Sequence, residues 1–296
     1  MRSAVIGRLL IVLVVIVVTC FIPMGCSSGE TDQFSGKRAF KHVQAQCKIG
    51  PRPPGSEALR ATGDYIIRHL RDLGWEVRTQ EFTKEGVNLR NIIAIRREGP
   101  AVILGAHYDT RPIADREPSD RKPPVMGAND GASGVAVLLE IARVLNIEAI
   151  EHQVWLVFFD AEDSGNIGEW GWSIGAWHLA NSLTIRPDYV VIVDMVGDID
   201  QQIYWEWSST RWLQEKVWGI ADELGYSSVF IPRYKHSVID DHTPFLYYDI
   251  PAIVIIDFDY PYWHTSHDTE DKVCSDSLER VGRVLETLLE SGSDEH

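Results

Sequence analysis

Residues 101–109 read AVILGAHYD, an apolar run that ends in a histidine and an aspartate. Short apolar runs bounded by turn residues are typical of buried strands. Residues 153–159 form a second such run and lead into the acidic sequence DAED at 160–163. Ligands of open α/β sheets bind beyond the carboxyl ends of the strands. The runs 101–107 and 153–159 therefore predict buried strands with chemistry at their ends.

Helices and strands alternate on both sides of these two runs. Further strands are predicted at 75–82, 91–95, 188–194 and 252–256, and helices at 37–47, 56–73, 133–145, 211–224 and 275–289. The segment 109–126, which is rich in proline and charge, is predicted to be a loop. This alternation predicts an α/β fold in which helices cover a mostly parallel sheet.

The composition is that of a globular protein with an acidic surface. The chain has 296 residues, of which 45% are hydrophobic and 24% are charged, so it can build a sizeable core. Asp and Glu number 43 against 28 Lys and Arg, which gives a net charge of −15. Nucleic-acid-binding proteins usually carry a basic patch, so this excess of acid argues against nucleic acid as a partner. Some of the carboxylates could instead collect at a cation site.

The first 26 residues have the pattern of an export segment. Two arginines precede an apolar run at 9–22, and Gly25 and Cys26 then lead into small residues. Basic, apolar and small-residue regions in this order are typical of secretory signals. The pair Gly25-Cys26 resembles a bacterial lipoprotein cleavage site with Cys26 as the lipidated residue, although Pro23 departs from that pattern.

An uncleaved membrane anchor is the alternative for this segment, because 18 uncharged residues are barely enough to span a bilayer. Under either interpretation we expect an exported protein, held at the cell envelope by a lipid or an anchor, or else secreted or periplasmic. Residues 1–26 are then the targeting segment, 27–35 a short tether and 36–296 a single folded domain.

Two cysteines, Cys47 and Cys274, lie in the predicted domain. An oxidising compartment would permit a disulfide between them. The sequence does not give their separation, so a disulfide and two free thiols both remain open.

Histidines and acids lie where predicted strands end or helices begin. The candidate metal ligands are His107, Asp130, Asp163, Asp194 and His264. Each of them taken alone is more often structural, so the prediction depends on the whole set. Zinc binds imidazole nitrogen and carboxylate oxygen, and the set therefore predicts a zinc site.

Two neighbours of these residues have predicted supporting roles. Asp109 lies two positions after His107, so on a strand both side chains point to the same face and Asp109 could accept a hydrogen bond from the imidazole. Glu162 and Asp163 are consecutive and point in different directions. One of them can bind metal while the other, Glu162, stays free as an acid and base.

The segments around these residues resemble the superfamily that contains the zinc aminopeptidases and the glutaminyl cyclases. The matching segments are GAHYD at 105–109, GANDGASG at 127–134, FFDAED at 158–163, VDM at 193–195 and HT at 264–265. The resemblance covers about residues 40–290 and implies a zinc exopeptidase-like fold. That fold is a single-domain three-layer sandwich, with a twisted, mostly parallel mixed sheet flanked by helices. Residues 36–296 would then be the zinc-dependent catalytic domain.

The two branches of this superfamily imply different uses of the same positions. For the aminopeptidases the resemblance implies two zinc ions, with Asp130 bridging them, on His107, Asp130, Asp163, Asp194 and His264. For the cyclases it implies one zinc ion on Asp130, Asp163 and His264, beside an acid network of Glu162, Asp194 and Asp240.

Several local features are more similar to the cyclases. Trp263 directly precedes His264, as in the Trp-His-Thr of the cyclases, and the segment 240–245 begins with Asp-Asp-His where many peptidases have serine first. The acids at 162–163 and the sequence DMVG at 194–197 resemble a bacterial group of mammalian-like cyclases. His107 is a departure from the cyclases, because it completes a set of residues for a second metal.

The resemblance therefore favours a glutaminyl-peptide cyclotransferase, which converts the N-terminal glutamine of peptides or proteins into pyroglutamate and releases ammonia. One zinc ion would polarise the carbonyl, Glu162 would act as base and then acid, and Asp194 and Asp240 would share a proton. A zinc aminopeptidase with two zinc ions is the first alternative. A non-catalytic binding lipoprotein is the second, and the retention of Glu162 argues against it. We expect a monomer.

Aromatic residues near the motifs are candidates for a small apolar pocket around a glutamine side chain. The candidates are Trp263 and, after it, Trp172 or Trp170. His242, beside the acid network, is predicted to be a packing or pocket residue. His267 is an alternative to His264 as a ligand, and the Trp-His-Thr match favours His264.

Overall fold

Helices and strands alternate through the computed structural model, which describes residues 33–117 and 120–291. In chain order they are α1 Gly36–Ile49, α2 Glu57–Asp72, β1 Glu76–Lys84, β2 Val87–Arg96, β3 Ala101–His107, α3 Ala132–Val144, β4 Gln153–Phe159, α4 Ile174–Ser182, β5 Tyr189–Asp194, β6 Ile203–Glu206, α5 Arg211–Glu223, β7 Phe230–His236, α6 Thr243–Tyr247, β8 Ala252–Ile256 and α7 Ser275–Glu290. Single turns of 3₁₀ helix lie at Ile147–Ala149 and Glu270–Lys272.

Six strands form the central sheet, in the order β1-β2-β4-β3-β5-β8. The strands β4, β3, β5 and β8 run parallel, whereas β1 pairs with β2 and β2 with β4 in the antiparallel direction. The predicted α/β fold with a mostly parallel mixed sheet is therefore confirmed. The strands β3, β4 and β8 begin and end at the predicted residues.

Two hydrophobic cores lie on the two faces of this sheet. In β3, Val102 and Leu104 belong to the larger core, to which α1, α2, α3, α5 and α7 contribute. Ile103, between them, belongs to the second core with side chains of α4 and α6. Because successive side chains of a strand point to opposite faces, helices cover the sheet on both sides. This is the predicted three-layer sandwich.

Four elements have no counterpart among the predicted ones: α4, β6, β7 and α6. The strands β6 and β7 form a separate two-stranded parallel sheet. The sequence of β7 is FIPRYKH and most of its side chains are partly or fully exposed, so it lacks the apolar pattern of a buried strand. Helix α6 has only five residues, too few for a helical period to be recognised.

The N-terminal end of the described chain is packed on the domain. The predicted export segment, 1–26, lies outside the described residues, and so does most of the predicted tether, 27–35. Phe34 is buried against Gly282 of α7, where a Cβ atom would stand 2.2 Å from the phenyl ring. Within 33–117 and 120–291 no helix is long and apolar enough to cross a membrane. In the same part of the chain, Cys47 and Cys274 are both free thiols.

The carboxyl ends of the four parallel strands lie at one edge of the sheet. His107 at the end of β3 is in register with Phe159 of β4, and Asp194 at the end of β5 is in register with Ile256 of β8. The loops that follow these strands therefore meet at this edge, where ligands of such sheets bind.

Candidate metal centre

Five buried side chains form two adjoining groups of potential metal ligands at this edge. One group consists of His107, Asp130 and Asp194, and the other of Asp130, Asp163 and His264. Within each group the ligand atoms all lie within 4.8 Å of one another. The structure thus brings together all five residues that the sequence indicates as ligands, with Asp130 common to both groups.

Asp130 lies between the two histidines. Its Oδ1 is 3.2 Å from His107 Nε2, and its Oδ2 is 3.8 Å from His264 Nε2. Asp194 Oδ1 lies 3.1 Å from His107 Nε2, and Asp163 Oδ1 lies 3.0 Å from His264 Nε2. The Nε2 atom of each imidazole therefore faces two carboxylates.

The donor atoms of both groups fit a zinc ion. Imidazole nitrogen and carboxylate oxygen are among its usual ligands, and catalytic zinc sites use three protein ligands. Asp130 Oδ2 and Asp163 Oδ2 are buried and make no hydrogen bond within the described part of the chain. Because an unpaired buried carboxylate oxygen is costly, a cation at this position would stabilise both side chains.

The loop between β3 and α3 presents Asp130 to both histidines. Gly131 has a φ of +99°, a left-handed conformation that favours glycine. A side chain there would place its Cβ 2.6 Å from the carbonyl oxygen of Asp109. The carboxylate of Asp268 accepts hydrogen bonds from the backbone N–H groups of Asn129 and Asp130, at 2.9 and 3.1 Å. A glycine and a distant buried acid together fix the loop.

Asp109 connects the loop after β4 to the end of β3. Its two carboxylate oxygens accept hydrogen bonds from the backbone N–H groups of Glu162 and Asp163, at 3.0 and 3.1 Å. Asp109 Oδ1 also lies 3.4 Å from His107 Nδ1, which makes no hydrogen bond among the described residues. Asp109 is thus beside His107, as predicted, and its hydrogen bonds hold the backbone that carries the neighbouring acids.

Glu162 lies beside the two metal groups but belongs to neither. Ser173 Oγ donates a hydrogen bond to Glu162 Oε1 over 3.0 Å. In the metal-free protein, burial raises the pKa of Glu162 well above its ordinary value; the carboxyls of Asp241 and Asp240 act in the same direction, and the charge of His107 opposes them. A carboxyl group with a raised pKa can accept and return a proton near neutral pH.

The acids at 240–241 are as deeply buried as Glu162. Burial, together with the charge of Asp194, raises the pKa of Asp240 to about 7, and burial raises the pKa of Asp194 as well. Asp241 was not expected at the site. It is buried, and neither carboxylate oxygen has a hydrogen-bond partner in the described structure. Neighbouring carboxyls in such surroundings cannot easily all ionise, so protons are shared among them.

A cavity of about 270 Å³ opens onto these acids and onto the group that contains His264. Its polar lining is formed by Asp130, Glu162, Asp163, Asp194, Ser237, Asp240 and His264. Its apolar lining is formed by Trp172, Met195, Val238, Ile239, Ile256, Phe258 and Trp263. The Trp172 ring lies nearly parallel to the His264 ring, with their centroids 6.0 Å apart. The predicted pocket residues Trp172 and Trp263 therefore both border the candidate metal centre.

Two predicted pocket residues are not among those that line this cavity. The carbonyl of Trp170 accepts a hydrogen bond from the N–H of Asn166 and closes a turn instead. His242 is fully buried behind the cavity wall, with Nε2 3.0 Å from Ser208 Oγ and 3.3 Å from Glu206 Oε2. Of the two roles considered for His242, its position is that of a packing residue.

Five residues around the site were not expected from the sequence. They are Arg111, Asp115, Ser173, Asp241 and Asp268. The partners of Arg111, Asp115 and Asp268 at the site lie far away in the chain, so no local spacing marks these three. For Asp268 the available signal is the run HTSHD at 264–268, which concentrates histidine and aspartate directly after the predicted ligand.

The sequence matches one family over most of the described domain. The model of the family described as peptidase family M28 matches residues 91–289. A glutaminyl-peptide cyclotransferase from Drosophila melanogaster is 28% identical over 81% of this chain and 78% of its own length.

Solved structures with the same fold carry two different activities in their names. A glutaminyl cyclase from Porphyromonas gingivalis is 33% identical, with a TM-score of 0.83 over 88% of this chain and 99% of that chain. A leucine aminopeptidase precursor from Bacteroides thetaiotaomicron is 31% identical, with a TM-score of 0.82 over 89% of this chain and 98% of that chain.

Proposed function

The chain belongs to peptidase family M28, and within this family we propose that it is a zinc-dependent glutaminyl-peptide cyclotransferase. It would convert the N-terminal glutamine of peptides or proteins into pyroglutamate and release ammonia. The relatives named as glutaminyl cyclases, from an insect and from a bacterium, support an enzyme of this activity.

One structural observation carries the proposal: Glu162 and a complete three-ligand group line the same small cavity as two tryptophan rings. The cavity, of about 270 Å³, has room for an amino-acid side chain. Trp172 and Trp263 offer apolar walls to the methylenes of glutamine, while the acids offer partners to its amine and amide. Such a cavity suits a reaction in which both reacting groups belong to one residue.

Zinc, bound by Asp130, Asp163 and His264, would supply a Lewis acid for the γ-carbonyl of the glutamine. The protein would hold the α-amine of the same residue against that carbonyl carbon, and this orientation removes much of the entropic barrier. A bond forms between the α-nitrogen and the carbonyl carbon of the side-chain amide (Cδ), and the bond from that carbon to the amide nitrogen breaks. The products are a five-membered lactam and ammonia.

Glu162 would move the proton that this exchange requires. It takes a proton from the attacking α-nitrogen and gives it to the departing amide nitrogen, so it returns to its starting state. The raised pKa of Glu162 supports this role, because burial weakens the preference for the ionised form. The hydrogen bond from Ser173 to Oε1 leaves Oε2 for the substrate.

Asp194 and Asp240 would share a proton and hold the N–H groups of the reacting residue. Both line the cavity, and the pKa of Asp240 is raised to about 7 by burial and by Asp194. At neutral pH one of the pair can therefore remain protonated while the other accepts hydrogen bonds from the substrate.

A zinc aminopeptidase is the second candidate, because the group of His107, Asp130 and Asp194 is also complete. Two zinc ions could then be bound, and Glu162 would act as base toward a water nucleophile. The similarity to a leucine aminopeptidase precursor supports this alternative. We place it second because the cavity includes Trp263, Asp240 and His264 but not His107.

Two assays with the purified protein decide between these functions. A peptide that begins with glutamine should release ammonia, whereas leucine p-nitroanilide should not be hydrolysed. Zinc, measured after removal of excess metal, should be about one ion per chain. Hydrolysis of the anilide with about two zinc ions per chain would establish the aminopeptidase instead. Zinc without turnover of either substrate would support the binding lipoprotein.

We also propose that the protein is exported and acts at the cell envelope, as a monomer. The pattern of residues 1–26 supports export, with Cys26 as the site of lipid attachment. Mass spectrometry of the N-terminal peptide from the membrane fraction would detect a diacylated Cys26, and Cys26→Ala should shift the protein to the soluble fraction. Light scattering of the purified domain would test whether the protein is a monomer.

A further inference from the structure

The loop after Asp109 contacts the segment around His264 at several points. We call residues 111–117 the clamp loop. The backbone N–H of Arg116 donates to the His264 carbonyl over 3.2 Å, and its guanidinium lies 3.8 Å from the centre of the Trp263 ring. Glu117 accepts hydrogen bonds from the backbone N–H and the hydroxyl of Ser266, at 3.0 and 2.7 Å. The clamp loop therefore holds the segment after β8 that carries one candidate ligand, His264, and one cavity wall, Trp263.

Arg111 is the most buried cation of the clamp loop, at 2% exposure. Its Nη1 donates to the carbonyls of Asp163 and Gly165, at 3.3 and 3.1 Å, and lies 3.4 Å from Asp163 Oδ1. Its guanidinium also lies 5.1 Å from the centre of the Trp172 ring. One side chain thus contacts a candidate ligand, the backbone on both sides of Ser164, and the second tryptophan of the cavity.

Asp115 joins Arg111 to the other ligand of the same group. Arg111 Nε donates to Asp115 Oδ1 over 3.0 Å, and Arg111 Nη2 pairs with Asp115 Oδ2. Asp115 Oδ1 lies 3.2 Å from Nδ1 of His264. A carboxylate on Nδ1 fixes the tautomer that leaves Nε2 free to bind a metal.

We propose that Arg111 and Asp115 are positioning residues for metal binding at Asp163 and His264. Arg111 fixes the Asp163 side chain and its backbone, while Asp115, held in the fork of Arg111, orients His264. This inference rests on the proposed function only in taking these residues as zinc ligands. In the other group Asp109 Oδ1 lies 3.4 Å from His107 Nδ1, and the two Asp109 oxygens also accept hydrogen bonds from the backbone N–H groups of Glu162 and Asp163.

The test measures zinc affinity of the metal-free protein by competition with a chromogenic chelator. We expect Asp115→Ala and Arg111→Met to weaken zinc binding by about tenfold to a hundredfold. Asp115→Asn, which keeps an acceptor for Nδ1 but loses the charge, should fall between wild type and Asp115→Ala. Arg111→Lys should not restore the affinity, because an ammonium cannot reproduce the fork.

Arg211→Met is a matched control. Arg211 also pairs with an acid four residues later, Glu215, but the Arg211 side chain is 69% exposed and far from the metal groups in sequence and fold. Its zinc affinity should equal that of wild type. Thermal melts of each metal-free variant separate a loss of stability from a loss of metal binding.

Two results would overturn the proposal. Zinc affinity of Asp115→Ala within about twofold of wild type would show that the carboxylate does not position His264. A lower melting temperature for Arg111→Met with unchanged zinc affinity would show a structural role alone. Neither result depends on cyclase activity. If the variants bind zinc more weakly but the wild-type protein cyclises no glutamine, the positioning role is supported and only the proposed function is refuted.

Discussion

Ser173 Oγ donates a hydrogen bond to Glu162 Oε1 over 3.0 Å, and the backbone N–H of Ser173 donates to the carbonyl oxygen of Glu162. Ser173 directly precedes α4 and has a φ of +58°, a left-handed conformation that is unusual for a residue with a side chain. Non-glycine residues in this conformation are found where the surrounding structure requires it, and often at functional sites. Here the conformation aims the hydroxyl at the proposed base.

Ser173→Ala should lower the kcat for glutamine cyclisation by about tenfold, because Glu162 loses the donor that orients its carboxylate. Zinc content should not change, since Ser173 contacts no candidate ligand. Ser182→Ala, at the far end of α4, serves as the control: its hydroxyl donates to the Leu179 carbonyl and accepts from the Gln80 side-chain amide, and neither partner belongs to the metal groups. Equal kcat values for the two variants would contradict an orienting role for Ser173.

Glu162 and Asp163 should separate turnover from metal binding, although they are adjacent in the chain. Glu162→Gln should retain zinc and lose activity by about a thousandfold, because an amide cannot transfer the proton. Asp163→Ala should lose zinc, because it removes one of three ligands of the group with His264. Metal analysis and ammonia release on the same preparations provide the measurement. Retained activity of Glu162→Gln would refute its assignment as the base.

His107 should not be required for zinc binding if the protein is a cyclase. It belongs only to the second group, so His107→Asn should keep about one zinc ion per chain and a kcat within about tenfold of wild type. Removal of zinc by a chelator should abolish the activity of both proteins, and added zinc should restore it. His152→Asn, on a histidine that pairs with Asp188 away from the site, is the control. Loss of zinc in His107→Asn alone would favour the two-zinc aminopeptidase.

The strands that carry the site could be predicted because buried strands are composed of apolar residues. The runs at β3, β4 and β8 are apolar throughout, since both faces of the sheet are covered, and polar residues mark where each strand ends. Helix α4 lacks such a mark, because apolar residues lie on several of its sides and Gly175 weakens its helical tendency. Sequence patterns therefore show the buried strands of this sheet more clearly than the helix α4 that packs on it.

Side chains whose partners lie far away in the sequence could not be predicted in this way. Ligands directly after strands are placed by the fold class itself, and the structure brings them together. Arg111 reaches Asp163 across 52 residues, and Asp115 reaches His264 from the loop that the sequence marks only as charged and rich in proline. Nothing in the local spacing of either residue indicates its partner. Such contacts depend on how the loops pack, which one sequence does not determine.

Asp160 should make the folded protein less stable as pH rises, whereas an acid that is paired in the folded state usually makes it more stable. Its Oδ2 accepts a hydrogen bond from the backbone N–H of Arg90 over 2.8 Å, while its buried Oδ1 has no partner in the part of the chain that is described. Burial, together with the charge of Asp109, raises the pKa of Asp160 to about 8 from the 3.8 of an unperturbed aspartate. Between these values the folded protein keeps a proton that the unfolded chain has lost. Stability from this group is therefore full below the lower pKa, declines as pH rises, and is lost above the higher one.

Asp160→Asn stays uncharged at every pH, so its melting temperature relative to wild type should rise between about pH 5 and about pH 8 and then level off. Thermal melts of both proteins across this range, with saturating zinc in every sample, measure the difference. Asp120→Asn, on an exposed residue of the loop before α3, should show no such trend. A constant difference between Asp160→Asn and wild type over the whole range would mean that Asp160 is already ionised in the folded protein. Its unpaired oxygen would then have to be stabilised by a cation or a water in the cavity between α2 and the β1–β2 hairpin, which Asp160 lines.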